Sequence, residues 1–285
     1  MRWIGRRESG NVEDRRGSGG SGTLIGGGIG SVVIAVIVYL LGGDPSQVLN
    51  TSAPNSATEQ VTGTNPAEDK AASFVKVVLA DTEDIWTKLM AERGQQYRKP
   101  VLVLFSQQTQ SACGMASSAS GPFYCPGDSK LYIDLSFYDE LRNRFQSPGD
   151  FAMAYVIAHE VGHHLQHQLG IIDKVDGMRG SLSRVENNRV SVRLELQADF
   201  LAGVWAHHNQ AMNQALEAGD IEEALGAANA IGDDRLQQQT QGRVVPDAFT
   251  HGTSAQRVYW FKKGYTTGDM TQGDTFNSRE DANLR

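Results

Sequence analysis

Five residues near the middle of the chain, His159-Glu160-Val161-Gly162-His163, match the pattern H-E-x-x-H, with which a helix can bind zinc. An α-helix completes a turn in about 3.6 residues, so His159 and His163 leave the same face one turn apart, where both imidazoles can bind one metal ion. Glu160 is then placed to take a proton from a water molecule that the metal has acidified. The motif predicts a hydrolytic zinc site.

The segment around the motif, FAMAYVIAHEVGHHLQHQL, is apolar and predicts a buried helix. Buried polar groups are costly unless they are paired or bound to a metal, so a metal site is favoured over ordinary buried histidines. His167 lies about 12 Å along the helix axis from His159, and His164 leaves on a different face. Neither His164 nor His167 is therefore expected to bind the metal.

A catalytic zinc ion takes three protein ligands, so a third must come from elsewhere in the chain. The metzincin pattern requires Gly and His at the positions of Gln166 and Leu169, which excludes that subclass. A second helical stretch, RVENNRVSVRLELQADFLAGVWAHH, carries Glu195 and Asp199 one turn apart, beside an apolar stripe. We expect Glu195 to complete the zinc site and Asp199 to accept the outer N–H of a zinc-binding histidine. An exposed acidic helix face is the alternative.

These motifs together carry a family resemblance. H-E-x-x-H followed by the E-x-x-A-D of residues 195–199 is the gluzincin arrangement, distantly similar to the HtpX and CAAX prenyl protease group. The runs CGMASSASGPFYCPGDSKLYIDLSFYDEL, HEVGHHLQ and RLELQADFLAGVWAHH resemble more closely the bacterial "putative neutral zinc metallopeptidase" family of membrane-tethered proteases, over roughly residues 70–270. The resemblance implies a zincin fold and one zinc ion, with ligands His159, His163 and Glu195 and with Glu160 as catalytic base.

Two segments before the motif helix, KPVLVLFSQ and KLYIDLSF, are rich in Val, Leu, Ile, Tyr and Phe and predict short strands. They indicate a small sheet beside that helix. In zincins an edge strand above the cleft pairs with an extended peptide substrate. Tyr132-Ile133-Asp134 is the candidate for that strand, and an ordinary core strand is the alternative.

The segment FTHGTSAQR at 249–257 offers further chemistry. Peptide hydrolysis builds negative charge on the carbonyl oxygen, which a well-placed donor stabilises. His251 or Arg257 could supply that donor. The HtpX-like group has a similar Thr-His segment before a helix with an arginine, although Gly252 stands here where Pro is expected. A histidine that binds its own backbone at a helix start is the alternative for His251.

Cys113 and Cys125 are the only cysteines, and they flank one loop that contains Gly and Pro. Their positions suit a disulfide, which would stabilise the fold by about 3 kcal/mol in an oxidising compartment. No C-x-x-C spacing supports a metal site, and no signature around Cys113 supports a nucleophile.

Residues 24–41, LIGGGIGSVVIAVIVYLL, form 18 positions without a charge, which is near the minimum for crossing a bilayer. Arginines precede this segment, and no Lys or Arg follows it until Lys70. The positive-inside rule predicts a single-pass protein of the bacterial cytoplasmic membrane, with a cytoplasmic N terminus and a periplasmic or extracellular catalytic domain. A cleaved signal peptide fits less well, since no small-residue cleavage site follows. Gly26 and Gly30 would allow a homodimer through the anchor.

The predicted fold class is α+β: a zincin-like, helix-dominated catalytic domain with a small β-sheet, preceded by one transmembrane helix. The stretches on either side of the apolar segment are polar and cannot bury a core. The predicted divisions are a flexible cytoplasmic tail at 1–22, a transmembrane anchor at 23–42, a flexible linker at 43–66, a zinc metallopeptidase domain at 67–270 and a polar tail at 271–285.

The net charge of −7 forms no basic stripe, so nucleic-acid binding is not expected. The motifs predict a membrane-anchored metallopeptidase with one Zn²⁺ ion and a peptide or protein substrate. The alternative is a non-catalytic, zinc-stabilised binding module tethered at the membrane. Glu160 argues against the alternative, because a structural zinc site needs no base and usually closes with a fourth protein ligand.

Overall fold

The computed structural model describes residues 1–16 and 66–284. The predicted anchor at 23–42, with the proposed dimer contact at Gly26 and Gly30, and nearly all of the predicted linker at 43–66 lie outside these residues. Among the residues that the structure describes, no helix has the length and apolar character needed to cross a bilayer.

Helices dominate the described part of the chain, and short strands form two small sheets, in agreement with the predicted helix-dominated α+β class. The helices are α1 (Pro66–Glu92), α2 (Phe137–Asn143), α3 (Asp150–Gln168), α4 (Ile171–Arg179), α5 (Arg184–Asn213), α6 (Asp220–Ala230), α7 (Asp233–Gln241) and α8 (Ser254–Thr267). The strands are β1 (Val12–Asp14), β2 (Val101–Phe105), β3 (Gln108–Ser111), β4 (Gly114–Ser117), β5 (Phe123–Cys125) and β6 (Lys130–Asp134).

Helix α3, which carries the H-E-x-x-H motif, is the buried element that its apolar sequence predicts. Its residues from Phe151 to Gln166 are buried, with the exception of the partly exposed His163. Helices α5 and α8 pack against each other so closely that glycine is required at their contact. A Cβ on Gly203 would lie 2.1 Å from the carbonyl oxygen of Phe261.

The larger sheet has the strand order β1-β2-β6-β5, in which β5 is antiparallel to β6 and the other neighbours are parallel. Tyr132 of β6 is paired with Val103 on one side and with Phe123 on the other. The predicted edge strand is therefore wrong at Tyr132, which lies inside the sheet, whereas Ile133 and Asp134 are paired with β2 alone. Strand β5 occupies the edge instead.

The smaller sheet is the antiparallel hairpin of β3 and β4. Cys113 lies at its turn and forms a disulfide with Cys125, the last residue of β5. The predicted disulfide is confirmed. It ties the tip of the hairpin to the edge strand of the larger sheet.

The first 16 residues pack on the domain. Strand β1 adds to the larger sheet beside β2, and the terminal ammonium of Met1 lies 2.9 Å from a carboxylate oxygen of Asp150. The prediction of a flexible tail at 1–22 is wrong for residues 1–16, because these residues make a strand and buried ion pairs.

Arginines that were expected to flank a membrane have partners on helix α1. Arg6 Nη2 lies 2.6 Å from Oδ1 of Asp81, and Arg7 Nη2 lies 2.8 Å from Oδ1 of Asp84. These two arginines therefore have carboxylate partners within the protein itself.

Strand β1 and helix α1 belong to the same packed body, although 49 residues separate the two described ranges. The predicted topology, with a cytoplasmic N terminus and a catalytic domain on the opposite side of the membrane, stays a prediction that this packing does not favour.

The predicted polar tail at 271–285 also packs on the domain over its described residues. Asp281 is fully buried and lies 2.9 Å from Nη1 of Arg193 on α5. It also accepts a hydrogen bond of 2.6 Å from Gln256 on α8. The segment that follows α8 is thus held against the two helices that pack beside α3.

Candidate metal centre

Helices α3 and α5 approach each other closely where the two sequence motifs meet. Gly162 lies inside H-E-x-x-H, and Ala198 lies inside E-x-x-A-D. A Cβ on Gly162 would lie 3.0 Å from Cα of Ala198, so the small residues at both positions allow the approach. This contact sets Glu195 and Asp199 opposite the histidines of α3.

The three residues predicted as metal ligands converge at this crossing. The ligand atoms of His159, His163 and Glu195 all lie within 4.8 Å of one another. Nε2 of His159 is 3.1 Å from one carboxylate oxygen of Glu195, and Nε2 of His163 is 3.6 Å from the other. Tetrahedral zinc with bonds of about 2.0–2.1 Å separates its ligand atoms by roughly 3.3 Å. The three groups therefore fit a zinc ion, and three is the number of protein ligands that catalytic zinc sites use.

The charges around the three groups favour a bound cation. Burial alone would lower the pKa of His159, but Asp199 and Glu195 outweigh it and raise the pKa to about 10. Burial alone would raise the pKa of Glu195, yet His163 and His251 hold it well below its usual value. The carboxylates of Glu195 and Asp199 beside the imidazoles therefore favour a cation at this position.

Asp199 binds the outer nitrogen of His159, as its spacing from Glu195 predicts. One carboxylate oxygen lies 2.8 Å from Nδ1 of His159 and accepts a hydrogen bond of 2.5 Å from the hydroxyl of Tyr155. Arg257 donates to both carboxylate oxygens, from Nη2 at 2.9 Å and from Nε at 2.8 Å. Burial would raise the pKa of Asp199, but Arg257 and His159 lower it to about 2.

The position of Arg257 corrects one sequence-based expectation. The guanidinium was a candidate donor to the carbonyl oxygen of a substrate, but its side chain is only 3% exposed. Its hydrogen bonds go to Asp199 and Tyr155, behind the histidine ligand. Arg257 therefore holds Asp199 and does not face the cleft.

Glu160 is buried beside the three converging groups but is not one of them. Burial raises the pKa of its carboxyl, while His163 and His159 lower it and leave a net upward shift. The backbone of Tyr124 also acts on this pKa, so the edge strand β5 lies next to Glu160. A carboxyl with a raised pKa is a stronger base than an ordinary carboxyl.

His251 lies near the metal centre and is held by Asp233, the first residue of α7. One carboxylate oxygen of Asp233 accepts three backbone hydrogen bonds, of 2.7, 2.6 and 3.0 Å, from Thr250, His251 and Gly252. Burial lowers the pKa of His251, but Glu195 and Asp233 raise it above its usual value. The imidazole is 36% exposed and so remains accessible.

Gly252 explains the departure from the expected proline. Its φ of +91° lies in a region that L side chains rarely adopt and that proline cannot reach. A Cβ there would also lie 3.1 Å from Val192 on α5. The turn that carries His251 thus depends on glycine.

Several contacts at the site had been missed in the sequence. His164 and His167, interpreted as bystanders, both bind the hydroxyl of Tyr124, at 3.2 and 2.7 Å. They do not join the metal ligands, but they anchor the side chain of the edge strand. Gln166 stands three residues after His163 and thus on the same helix face. Its amide oxygen is 2.8 Å from Nδ1 of His163.

Comparison with known proteins gives consistent results. A family model described as "Putative neutral zinc metallopeptidase" matches residues 1–276. The chain is 51% identical over 284 residues to "Uncharacterized protein YpfJ" of Escherichia coli K12, covering 97% of this chain and 99% of that protein. It is 39% identical over 260 residues to "Uncharacterized protein Mb2605" of Mycobacterium bovis, covering 85% of each. No solved structure matches the chain.

Proposed function

The chain belongs to the "Putative neutral zinc metallopeptidase" family, and we propose that it hydrolyses peptide bonds at a site formed by one zinc ion and Glu160. One observation carries the proposal. His159, His163 and Glu195 converge at distances that suit tetrahedral zinc, beside a buried carboxyl that is not part of the ligand set. That carboxyl is the group placed to act as a base beside the metal position.

When bound by these three residues, zinc supplies a Lewis acid and lowers the pKa of a water molecule that it holds. The carboxylate of Glu160 accepts the proton of the attacking water and later delivers it to the nitrogen of the leaving amine. Burial raises its pKa, which makes the carboxylate a stronger base for the first step. Asp199 keeps the proton of His159 on Nδ1, so that Nε2 stays free to bind the metal.

His251 is the donor that we propose for the carbonyl oxygen of the substrate. Its Nδ1 faces Thr250 and Asp233, at 3.0 and 3.3 Å, so Nε2–H is the donor left for a ligand. Its raised pKa favours the charged form, which donates a stronger hydrogen bond to an oxygen that gains negative charge.

Strand β5 replaces β6 as the proposed substrate strand. It lies at the edge of the sheet, antiparallel to β6, and Tyr124 in its centre adjoins Glu160. An extended peptide could pair with this edge through its backbone and pass the catalytic carboxyl. Backbone pairing demands little of the peptide sequence.

The disulfide between Cys113 and Cys125 supports an oxidising compartment, and we propose that the domain acts outside the bacterial cytoplasm. Membrane attachment remains a proposal that rests on residues 24–41, outside the described residues. We propose that the N-terminal segment shares that compartment, which the pairing of β1 with β2 supports.

A direct test of the function uses the purified full chain and a mixture of fluorogenic peptides. We expect about one zinc ion per chain, cleavage that stops when a chelator removes the zinc, and recovery when zinc is returned. A chain that holds zinc but cleaves no peptide in a broad mixture would favour the alternative, a zinc-stabilised binding module.

A further inference from the structure

We propose that Gln166 and Gln197 are positioning residues for His163, and that they connect this zinc ligand to the backbone of the C-terminal segment at Gly273. The inference rests on the proposed function, since it assigns His163 to the metal. It adds a second support to the site, separate from the one that Asp199 gives to His159.

A continuous series of hydrogen bonds connects His163 to the C-terminal segment. Nδ1 of His163 lies 2.8 Å from Oε1 of Gln166. Nε2 of Gln166 donates to Oε1 of Gln197 at 3.1 Å, and Nε2 of Gln197 donates to the carbonyl oxygen of Gly273 at 2.9 Å. Gln166 is completely buried, so it has no water to replace these partners.

Two backbone carbonyl groups along this series of hydrogen bonds determine how each glutamine amide is oriented. Nε2 of Gln166 also donates at 2.7 Å to the carbonyl oxygen of Leu194, which can only accept. The carbonyl oxygen of Gly273 likewise fixes the NH₂ group of Gln197. The oxygen of Gln166 must then face His163, which therefore carries its proton on Nδ1. Nε2 of His163 is left for the metal.

The use of an amide beside His163 fits the charge of the site. Next to His159, the negative charge of Asp199 is balanced by Arg257, which lies 2.8 Å away. Among the described residues, no Lys or Arg side chain donates a hydrogen bond to Gln166. Its partners are His163, Gln197 and a backbone carbonyl group. A carboxylate there would be a buried, uncompensated charge, whereas the amide accepts from His163 without that cost.

The backbone at Gly273, where this series of hydrogen bonds ends, is held in place as well. Gly273 packs so tightly that a Cβ would lie 2.5 Å from the ring of Phe200 on α5. Two residues later, Thr275 donates at 2.6 Å to the carbonyl oxygen of Arg193. The segment after α8 thus presents a rigid acceptor to Gln197. It supports the metal site although it contributes no ligand.

The test compares zinc affinity, measured by competition with a chromophoric chelator at fixed pH, among variants of the full chain. Gln166→Met and Gln197→Met keep the side-chain size and remove the amide. Gln168→Met is the matched control, because Gln168 lies on the same helix and also donates to a backbone carbonyl, that of Gln96, away from the metal. Visible spectra of the Co²⁺-loaded proteins report the geometry at the metal.

We expect Gln166→Met to weaken zinc binding by about 10–100-fold and Gln197→Met by a smaller factor in the same direction. Both should shift the Co²⁺ spectrum, whereas Gln168→Met should match the parent in both measurements. A merely structural role would lower the melting temperature of the metal-free variants without changing affinity or spectrum.

Parent-like zinc affinity in Gln197→Met would overturn the link to the C-terminal segment, even if Gln166→Met failed to fold. Parent-like affinity in Gln166→Met would overturn the positioning of His163. In either case, loss of zinc in His163→Ala would leave the proposed function intact. Unchanged zinc binding in His163→Ala would overturn the proposed function together with this inference.

Discussion

A carboxylate oxygen of Asp199 lies 2.8 Å from Nδ1 of His159, so the ring presents Nε2 to Glu195 and to the metal position. The same carboxylate binds Arg257 through both of its oxygens. One acidic side chain on α5 thus orients a ligand of α3 and neutralises a buried cation of α8. The metal site and the packing of three helices depend on the same residue.

Replacement of Asp199 by Asn should damage both functions of the residue. We expect zinc affinity to fall by about 10–100-fold, because the ring of His159 loses its anionic partner. The free energy of unfolding should fall by about 3–5 kcal/mol, because Arg257 becomes an unpaired buried charge. Chelator competition and denaturant unfolding measure the two effects.

The ion pair of Arg189 and Asp247 provides the control for that variant, since both side chains are largely exposed. Asp247→Asn should change the free energy of unfolding by less than about 1 kcal/mol and leave zinc affinity unchanged. Equal effects of Asp199→Asn and Asp247→Asn would contradict the role given to Asp199.

Replacement of His251 by Ala should lower kcat by about 10²–10³-fold and leave zinc affinity unchanged, because the imidazole acts on the substrate oxygen and not on the metal. Asp233→Asn should reduce kcat in the same direction, since Asp233 holds the turn that carries His251. His208→Ala is the control, because His208 is a partly exposed histidine that binds the carbonyl oxygen of Gly268. A normal kcat in His251→Ala would exclude His251 from catalysis.

The stability of the folded chain should depend on pH through Asp81, which binds Arg6 of the N-terminal segment. Burial raises the pKa of this carboxyl to about 6, and Arg6 offsets the effect only in part. The folded state therefore binds the proton more tightly than the unfolded state. The stability that this proton contributes below pH 4 is lost as the pH rises through about 6.

Denaturant unfolding of the wild-type chain and of Asp81→Asn between pH 4 and pH 7 measures this loss. The wild type should lose up to about 3 kcal/mol relative to the variant across that range. A difference that stays constant with pH would show that the pKa of Asp81 is not raised.

The N-terminal segment and the domain should respond alike to a membrane-impermeant maleimide. Ile4 is 80% exposed and Val244 is 42% exposed, so cysteines at these positions report the two parts of the chain while the native disulfide stays intact. We expect Ile4→Cys and Val244→Cys to be both labelled, or both protected, in intact spheroplasts, and both to be labelled after lysis. Labelling of only one of them before lysis would contradict the pairing of β1 with β2.

The convergence of His159, His163 and Glu195 was predictable because each of the two motifs is set by local helical spacing. Helical spacing puts His159 and His163 on one face of α3, and it puts Glu195 and Asp199 on one face of α5. The apolar residues around both pairs indicate burial. Gln166 was predictable by the same reasoning, since it follows His163 by three residues on the same face.

Strand order and the fate of the N-terminal arginines depend on distant partners. The sequence KLYIDLSF indicates a strand, but whether that strand lies inside the sheet depends on Phe123 and Val103, which pair with Tyr132 from either side. The partner of Arg6 lies 75 residues away on α1. A cluster of arginines before an apolar run resembles a membrane flank in sequence, and only the folded chain shows that carboxylates of the same domain bind them.

The most direct test of the proposed function is the comparison of the wild-type chain with Glu160→Gln, in which zinc content and peptide cleavage are measured on the same preparations. Gln keeps the shape of the side chain and removes the base. We expect equal zinc content and a kcat that is lower by about 10²–10⁴-fold in the variant. Equal cleavage by both proteins at equal zinc content would contradict the assignment of Glu160 as the catalytic base and, with it, the proposed mechanism.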